Sequence, residues 1–315
     1  MYIYILLFFV GCVLLYFGSD LIINNSIILS KRFKISPIIV GATVVALGTS
    51  LPELLVSIYS IIFIENGSSS SGLILGNVLG SNIANVSLVL GYCAFLYGVI
   101  IENKFLKELL FIFLLGIYSI ICLYCELTIN YIHGIILLSL FVYYLYNLII
   151  SNQINNSNED EKNADSNLLS NIFLIILSMI VLSLGSHLVV DNATKIADSL
   201  KFESIAIGIT IVALGTSLPE LFTAVVSVKR KNYNLFIGNI IGSNVINIVF
   251  VLGFTSLITD VQPTIDDSSK LFYIFVIFSL SHLMVIFSTL LSKNVSKISG
   301  FILLLLYLLF LYKML

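Results

Sequence analysis

The sequence predicts an all-α integral membrane protein, with about ten transmembrane helices in two inverted-topology five-helix repeats and broken helices at the midplane. Composition supplies the first observation: 59% of the residues are hydrophobic, 10% are charged and the mean hydropathy is +1.09, far from the balance of a soluble domain. The second is that apolar runs long enough to cross about 30 Å of hydrocarbon as helices recur along the whole length, in place of the short alternating segments of a barrel. The third is a duplication. Gly41-Ala-Thr-Val-Val-Ala-Leu-Gly-Thr-Ser-Leu-Pro-Glu53 returns 167 residues later as Gly208-Ile-Thr-Ile-Val-Ala-Leu-Gly-Thr-Ser-Leu-Pro-Glu220, and Gly76-Asn-Val-Leu-Gly-Ser-Asn-Ile-Ala-Asn85 returns as Gly238-Asn-Ile-Ile-Gly-Ser-Asn-Val-Ile-Asn247. Positions 41–60 and 208–227 agree at 13 of 20 sites, and 76–91 and 238–253 at 9 of 16. The shared residues include Gly, Thr, Ser, Pro, Glu and Asn, so chance likeness between Leu- and Ile-rich helices does not account for them.

Span 1, residues 3–25, has no Lys or Arg before it and no small-residue cleavage site after it, so it reads as a retained helix rather than a signal peptide. Span 2, 36–62, carries the first phrase, in which Pro52 has no N–H to give the carbonyl of Gly48 and so breaks the helix. Span 3, 70–98, sets Asn77, Ser81 and Asn85 four residues apart on one face, and Gly76 and Gly80 in GxxxG spacing for close helix approach. Spans 4 and 5, 106–125 and 129–150, are apolar runs that complete a first repeat over 1–150. Residues 151–168 are the one long polar stretch, rich in Asn, Ser and acids, and read as a flexible linker. Glu159, Asp160 and Glu161 within it lack the spacing of a calcium loop. Span 6, 169–192, opens a second repeat over 169–315. In span 7, 204–228, Pro219 leaves the carbonyl of Gly215 unpaired. Span 8, 234–258, repeats the polar stripe as Asn239, Ser243 and Asn247, with Gly238 and Gly242 in the same GxxxG spacing. Spans 9 and 10, 271–289 and 298–314, close the chain.

Charge orients the bundle. Loops after spans 1, 3, 5, 7 and 9 hold 11 of the 15 basic residues, so the positive-inside rule puts the linker in the cytoplasm and both termini outside. Five spans per half is an odd number, which forces the second repeat to enter the membrane upside down. Cys12, Cys93, Cys122 and Cys125 lie in or beside apolar spans and read as buried small hydrophobes; the Cys122/Cys125 pair has CxxC spacing but no second pair to make a metal or redox site.

The repeated motifs carry chemistry. On a helix, Thr49 and Ser50 share a face with Glu53, and Thr216 and Ser217 share one with Glu220. Carboxylates, hydroxyls, side-chain amides and carbonyls freed by proline are hard oxygen ligands. A carboxylate at the bilayer centre costs about 2.5–3.5 kcal/mol, and no basic residue stands mid-span to neutralise either one. Two such charges match one Ca²⁺, which takes about six to eight oxygens at about 2.3–2.6 Å. An empty site with two bare carboxylates is costly to carry through a low-dielectric barrier, whereas a loaded one is close to neutral, which points to obligate exchange.

The paired motifs, GTSLPE with GNxxGSNxxN in each half, resemble the alpha repeats of the sodium/calcium exchangers of the cation/calcium exchanger superfamily, of prokaryotic type. The resemblance implies an antiporter exchanging Na⁺ for Ca²⁺ by alternating access around a midplane cluster, with spans 1 and 6 as two short gating helices sliding across a fixed core. It implies that Glu53 and Glu220 bind both ions, that Thr49, Ser50, Thr216 and Ser217 ligate beside them, and that Ala46 and Ala213 lend carbonyls to Na⁺. Ser81, Ser243, Asn85 and Asn247 match the polar positions of spans 3 and 8. Three Na⁺ against one Ca²⁺ would make the exchange electrogenic. Two departures stand out: Asn247, where some prokaryotic members carry Asp, and His187, which aligns with Asp20 where relatives tend to be acidic. A lone His at a span's polar end reads as an interfacial residue.

Rival readings keep the scaffold and change the coupling, to Ca²⁺ against H⁺ or to a K⁺-dependent Na⁺/Ca²⁺ antiporter. A passive cation channel would use the same oxygens without counter-transport. An intramembrane hydrolase is disfavoured because His133 and His282 lie outside the repeated motifs, with no nucleophile elbow or zinc spacing. No enzymatic activity, cofactor, nucleic acid or obligate protein partner is expected. The expected partners are Ca²⁺, Na⁺ and the lipid bilayer of a prokaryotic cell (inner) membrane.

Overall fold

In the computed structural model, residues 1–63, 67–125, 127–151, 167–199, 214–262 and 268–314 are described. Among them eight helices are long and apolar enough to cross a membrane, or nine if a bent pair counts as one span. The expected span 7 begins in 204–213, outside the described residues, as does almost all of the 151–168 linker.

Helix α1 (Tyr2–Phe33) runs through Asp20, Asn24 and Asn25 well past the apolar stretch and ends only at Lys34, whose left-handed backbone (φ 53°) closes it. The broken span 2 becomes α2 (Pro37–Thr49) and α3 (Leu51–Ile62), bent by 43°. The bend falls at Ser50, whose backbone leaves the helical well (φ −88°, ψ 8°) two residues before Pro52, as the missing proline N–H requires. Next come α4 (Ser71–Tyr97), α5 (Leu106–Tyr124) and α6 (Tyr131–Ser151). The second half holds α7 (Leu168–Ser199), α8 (Leu218–Lys229), α9 (Tyr233–Ile258), α10 (Ser268–Ser292) and α11 (Lys297–Met314). Strand β1 (Val99–Ile100) pairs antiparallel with β2 (Asn294–Val295).

Helices α1 and α7, the gating pair implied by the family resemblance, are not short: each has 32 residues. The backbone ladder continues through polar residues that hydropathy discounts. The two pack on each other through glycines. A Cβ at Gly18 would lie 3.0 Å from Leu182 Cγ, and one at Gly185 3.0 Å from Leu15 N; the two glycines stand 167 apart in sequence, as do the two leucines. Leu15, Ile22, Ile23, Leu182 and Val189 form an apolar cluster with Val45, Val226 and Leu235, separate from the main core.

That main core is built around α4 and α9. Within the apolar window of α9, 94% of residues are buried, and in α4 78%, against 28% in α1 and 22% in α6, so α4 and α9 are central and the others face lipid. The GxxxG pairs separate here. A Cβ at Gly242 would fall 2.4 Å from Ala42 O, and one at Gly238 2.4 Å from Ile38 O, so α9 lies backbone to backbone against α2. Gly76 has no described atom within 4 Å of such a Cβ, and Gly80 only Phe310 Cζ at 3.7 Å. The close approach expected of both pairs is seen for the second; the segment that the repeat sets opposite the first, 204–213, lies outside the described residues.

Candidate ion-binding site

The repeated phrases meet between α2, α3 and α8 on one side and α4 and α9 on the other. Each proline break leaves the acid in the first turn of a new helix, Glu53 in α3 and Glu220 in α8. Both carboxylates are fully buried. Ser50 Oγ, at the break in α2/α3, donates to Glu220 Oε1 at 3.1 Å and so ties the first phrase to the second. Thr49 Oγ1 stands 3.3 Å from Ala46 O, from Asn239 Oδ1 and from Ser243 Oγ. Glu53 interacts electrostatically with Glu220 and lies near Ser81 without hydrogen-bond geometry. Its two carboxylate oxygens, Glu220 Oε2 and Ser81 Oγ are buried with no hydrogen-bond partner among the described residues.

On the other side, Asn77 Nδ2 donates to Glu53 O at 2.7 Å and to Ser57 Oγ at 2.9 Å, while Asn239 Nδ2 donates to Thr223 Oγ1 at 3.1 Å. Each of these asparagines thereby braces the helix that carries an acid. Asn85 Nδ2 donates to Asn244 Oδ1 at 3.0 Å, and Asn82 Nδ2 to Asn244 O at 3.2 Å. Both side-chain atoms of Asn247 are buried with no partner among the described residues. Asn85 opens a π-helical turn, Asn85–Leu90, and Asn247 lies in another, Ile246–Val251. A π-turn widens the helix by one residue and re-aims the side chains around it, which is why such turns gather at functional sites.

Of the residues expected to ligate, Thr49, Ser50, Glu220, Ser243 and the carbonyl of Ala46 are joined by these contacts, with Glu53 and Ser81 beside them. Thr216 and Ser217 are buried at the second break. Ala213 lies outside the described residues. The carbonyl of Gly215, expected to be unpaired, accepts a hydrogen bond at 2.7 Å from Ser186 of α7. Sequence reasoning missed Asn82 and Asn244, which both phrases spell in GSNxxN; standing one residue after the stripe's serine, they fall off its four-residue spacing. Thr223, Ser57 and Ser186 carry no sequence signal of their own.

Elsewhere, His187 is exposed on α7, and its partner by alignment, Asp20, binds Arg230 together with Asn24. Cys93 and Cys122 are buried as expected; Cys125 is exposed just beyond the end of α5, where the chain leaves the packed core. Among the described residues no Lys or Arg is buried, and no three His, Cys, Asp or Glu gather as a metal cluster. The site is instead a set of hard, mostly neutral oxygens around two carboxylates, the chemistry that replaces the hydration shell of Na⁺ or Ca²⁺.

Comparison with known proteins agrees. The family model described as sodium/calcium exchanger protein matches residues 3–150 and 170–315. An uncharacterised membrane protein of Methanocaldococcus jannaschii is 38% identical over 79% of this chain and 80% of its own length, and the inner membrane protein YrbG of Escherichia coli is 33% identical over 87% of each. The solved structure of the sodium-calcium exchanger NCX_Mj, soaked with Na⁺ and Sr²⁺, superposes with a TM-score of 0.81 at 30% identity, covering 98% of both chains. With the duplicated phrases meeting at two buried carboxylates, this chain belongs to the sodium/calcium exchanger family.

Proposed function

We propose that this chain exchanges Na⁺ for Ca²⁺ across a membrane by alternating access, electrogenically and with Glu53 and Glu220 holding the ions. One observation carries the reading: two carboxylates, one from each copy of the same phrase, are fully buried, and Ser50 of the first copy donates to Glu220 of the second, with no buried Lys or Arg to neutralise the acids among the described residues. Such a pair is unfavourable in hydrocarbon unless cations are its partners. Thr49, Ser243, Ser81, Ser50, Thr216 and Ser217 would ligate with hydroxyl or carbonyl oxygens, Asn85 and Asn247 with amide oxygens, and Ala46 and Ala213 with carbonyls.

The chain divides into repeats at 1–150 and 169–315, inverted with respect to each other and joined by a cytoplasmic linker at 151–168. Contacts that recur at fixed sequence offsets support the division. Gly91 packs on α11 against Leu303 and Gly300, and Gly253 on α6 against Leu137 and Gly134; Val99 pairs with Val295, and Val261 with Ile129. Helices α1 and α7, with their separate apolar cluster, would be the moving pair. The likeness to YrbG supports a prokaryotic inner membrane.

Uptake of radioactive Ca²⁺ into proteoliposomes loaded with Na⁺, K⁺ or choline, or bearing a pH gradient, tests the reading. Uptake with internal Na⁺ alone, lost in Glu53→Gln and Glu220→Gln, is the expected result. Uptake driven by the proton gradient, or requiring K⁺ as well, would replace the coupling ion. Uptake in every vesicle would make the protein a channel, and wild-type rates in both Gln variants would remove the two acids from the site.

A further inference from the structure

Behind the ion site lies a polar pair that exchange chemistry does not use. His282 is buried in α10 and is one of the residues lining a cavity of about 10 Å³, together with Asn244 of α9 and apolar residues that include Val86, Ile112, Ile240 and Val285. That volume holds one water molecule. Asn244 and His282 are the two polar residues in the lining.

The histidine ring is held in a single orientation. Phe278, one turn earlier, stacks on it with centroids 3.9 Å apart, and Phe113 of α5 stacks on Phe278 in turn. Gly116 makes room for this column: a Cβ there would lie 2.0 Å from Phe278 Cζ. His282 Nδ1 lies 2.9 Å from Phe278 O. A carbonyl only accepts, so Nδ1 carries the proton and the neutral ring presents Nε2 as a bare acceptor. Nε2 is buried with no partner among the described residues. Asn244 can complement it. Its Oδ1 and its backbone oxygen accept from Asn85 and Asn82 of α4, so its Nδ2 is the group left to donate.

We propose that His282 is a positioning residue of the ion site, acting on Asn244 through one water molecule in the cavity between them. Asn244 Nδ2 donates to the water oxygen, and the water donates to His282 Nε2. The amide is thereby fixed with Oδ1 toward Asn85, which keeps the Asn85 carbonyl oxygen free for an ion. A flipped Asn244 would set two NH₂ groups against each other and turn Asn85 away. The inference rests on the Na⁺/Ca²⁺ exchange reading for the function it modulates, but not for its geometry.

Three substitutions in the full-length protein separate positioning from packing. Gln at 282 places an amide oxygen near the position of Nε2; Asn keeps a donor for Phe278 O and loses that acceptor; Leu loses both. The loss of one such hydrogen bond corresponds to about a 3- to 10-fold weakening. Na⁺-loaded proteoliposomes should show His282→Asn and His282→Leu with a Ca²⁺ KM raised by about that factor at a near wild-type maximal rate, and His282→Gln with KM close to wild type. Equal KM in all variants, or a Gln variant as impaired as Leu, overturns the proposal, and a fall in melting temperature alone would reduce His282 to a packing residue. Should the Leu variant not fold, the Asn and Gln pair decides. Calorimetric titration of detergent-solubilised protein with Ca²⁺ reads the same differences as Kd, so a wild type that binds Ca²⁺ without exchanging it for Na⁺ would sink the exchange reading while still testing His282.

Discussion

Asn247 marks how closely the site is balanced in charge. It is fully buried within the second π-turn, both side-chain atoms lack partners among the described residues, and it is neutral. With Asn85 as its counterpart, the proposed site has two formal negative charges, from Glu53 and Glu220, and would draw its other ligands from dipoles. Asn247→Asp would add a third charge and a titratable group to the same space. We expect that variant to show altered Ca²⁺ affinity, with uptake that falls as acidification neutralises the new carboxylate. Uptake measured against external pH checks this, and a profile superimposable on wild type would refute a ligand role for the position. Ser186 shows how a single hydroxyl can come from outside the motifs: its bond to Gly215 O links α7 to the break before α8, so the carbonyl freed by Pro219 is shared with the helix expected to move.

Among elements, the contact between α2 and α9 sets the distance between the two halves of the site. Gly238 and Gly242 bring the backbones together, and Thr49 then reaches Asn239 and Ser243 directly. A methyl group at 242 would sit 2.4 Å from Ala42 O and 2.5 Å from Ala42 Cα, backbone atoms of a buried helix that have nowhere to retreat. Gly242→Ala should therefore cost about 1–3 kcal/mol of stability and separate Thr49 from Ser243, with loss of Ca²⁺ uptake. Melting of this variant beside wild type in detergent, followed by uptake, measures the effect; equal behaviour would show that the α2–α9 contact is slack.

At the scale of the molecule, the helices proposed to move and those proposed to stay fixed differ in what holds them. The α1/α7 pair has its own small apolar cluster, and the one ion pair that joins distant parts of the described chain, Arg230 with Asp20, fastens α1 beside the end of α8. That pair is partly exposed, so it contributes about 1 kcal/mol or less. The repeats pack directly on one another through α2 with α9, α4 with α11 and α9 with α6, independent of the segment that joins them in sequence. Deleting residues 155–165 should accordingly leave Ca²⁺ uptake within about twofold of wild type, and total loss on deletion would make the linker more than a tether.

Much of this molecule was legible along the chain. Membrane class follows from hydropathy, because lipid admits few polar side chains and requires every backbone group to be satisfied within the segment. Both breaks follow from Pro52 and Pro219, and the acids, hydroxyls and amides from phrases written twice, since local chemistry and spacing are properties of sequence. The length of α1 and α7 was not legible, because hydropathy ends where Asp20 and Asn24 begin while the hydrogen-bond ladder does not. Nor were Asn244 as the hub of Asn82 and Asn85, the bridge from Ser50 to Glu220, or His282 behind them. These join residues about 40 to 170 positions apart on helices whose rotation is set by glycine contacts and π-turns, and only packing in three dimensions decides which faces meet.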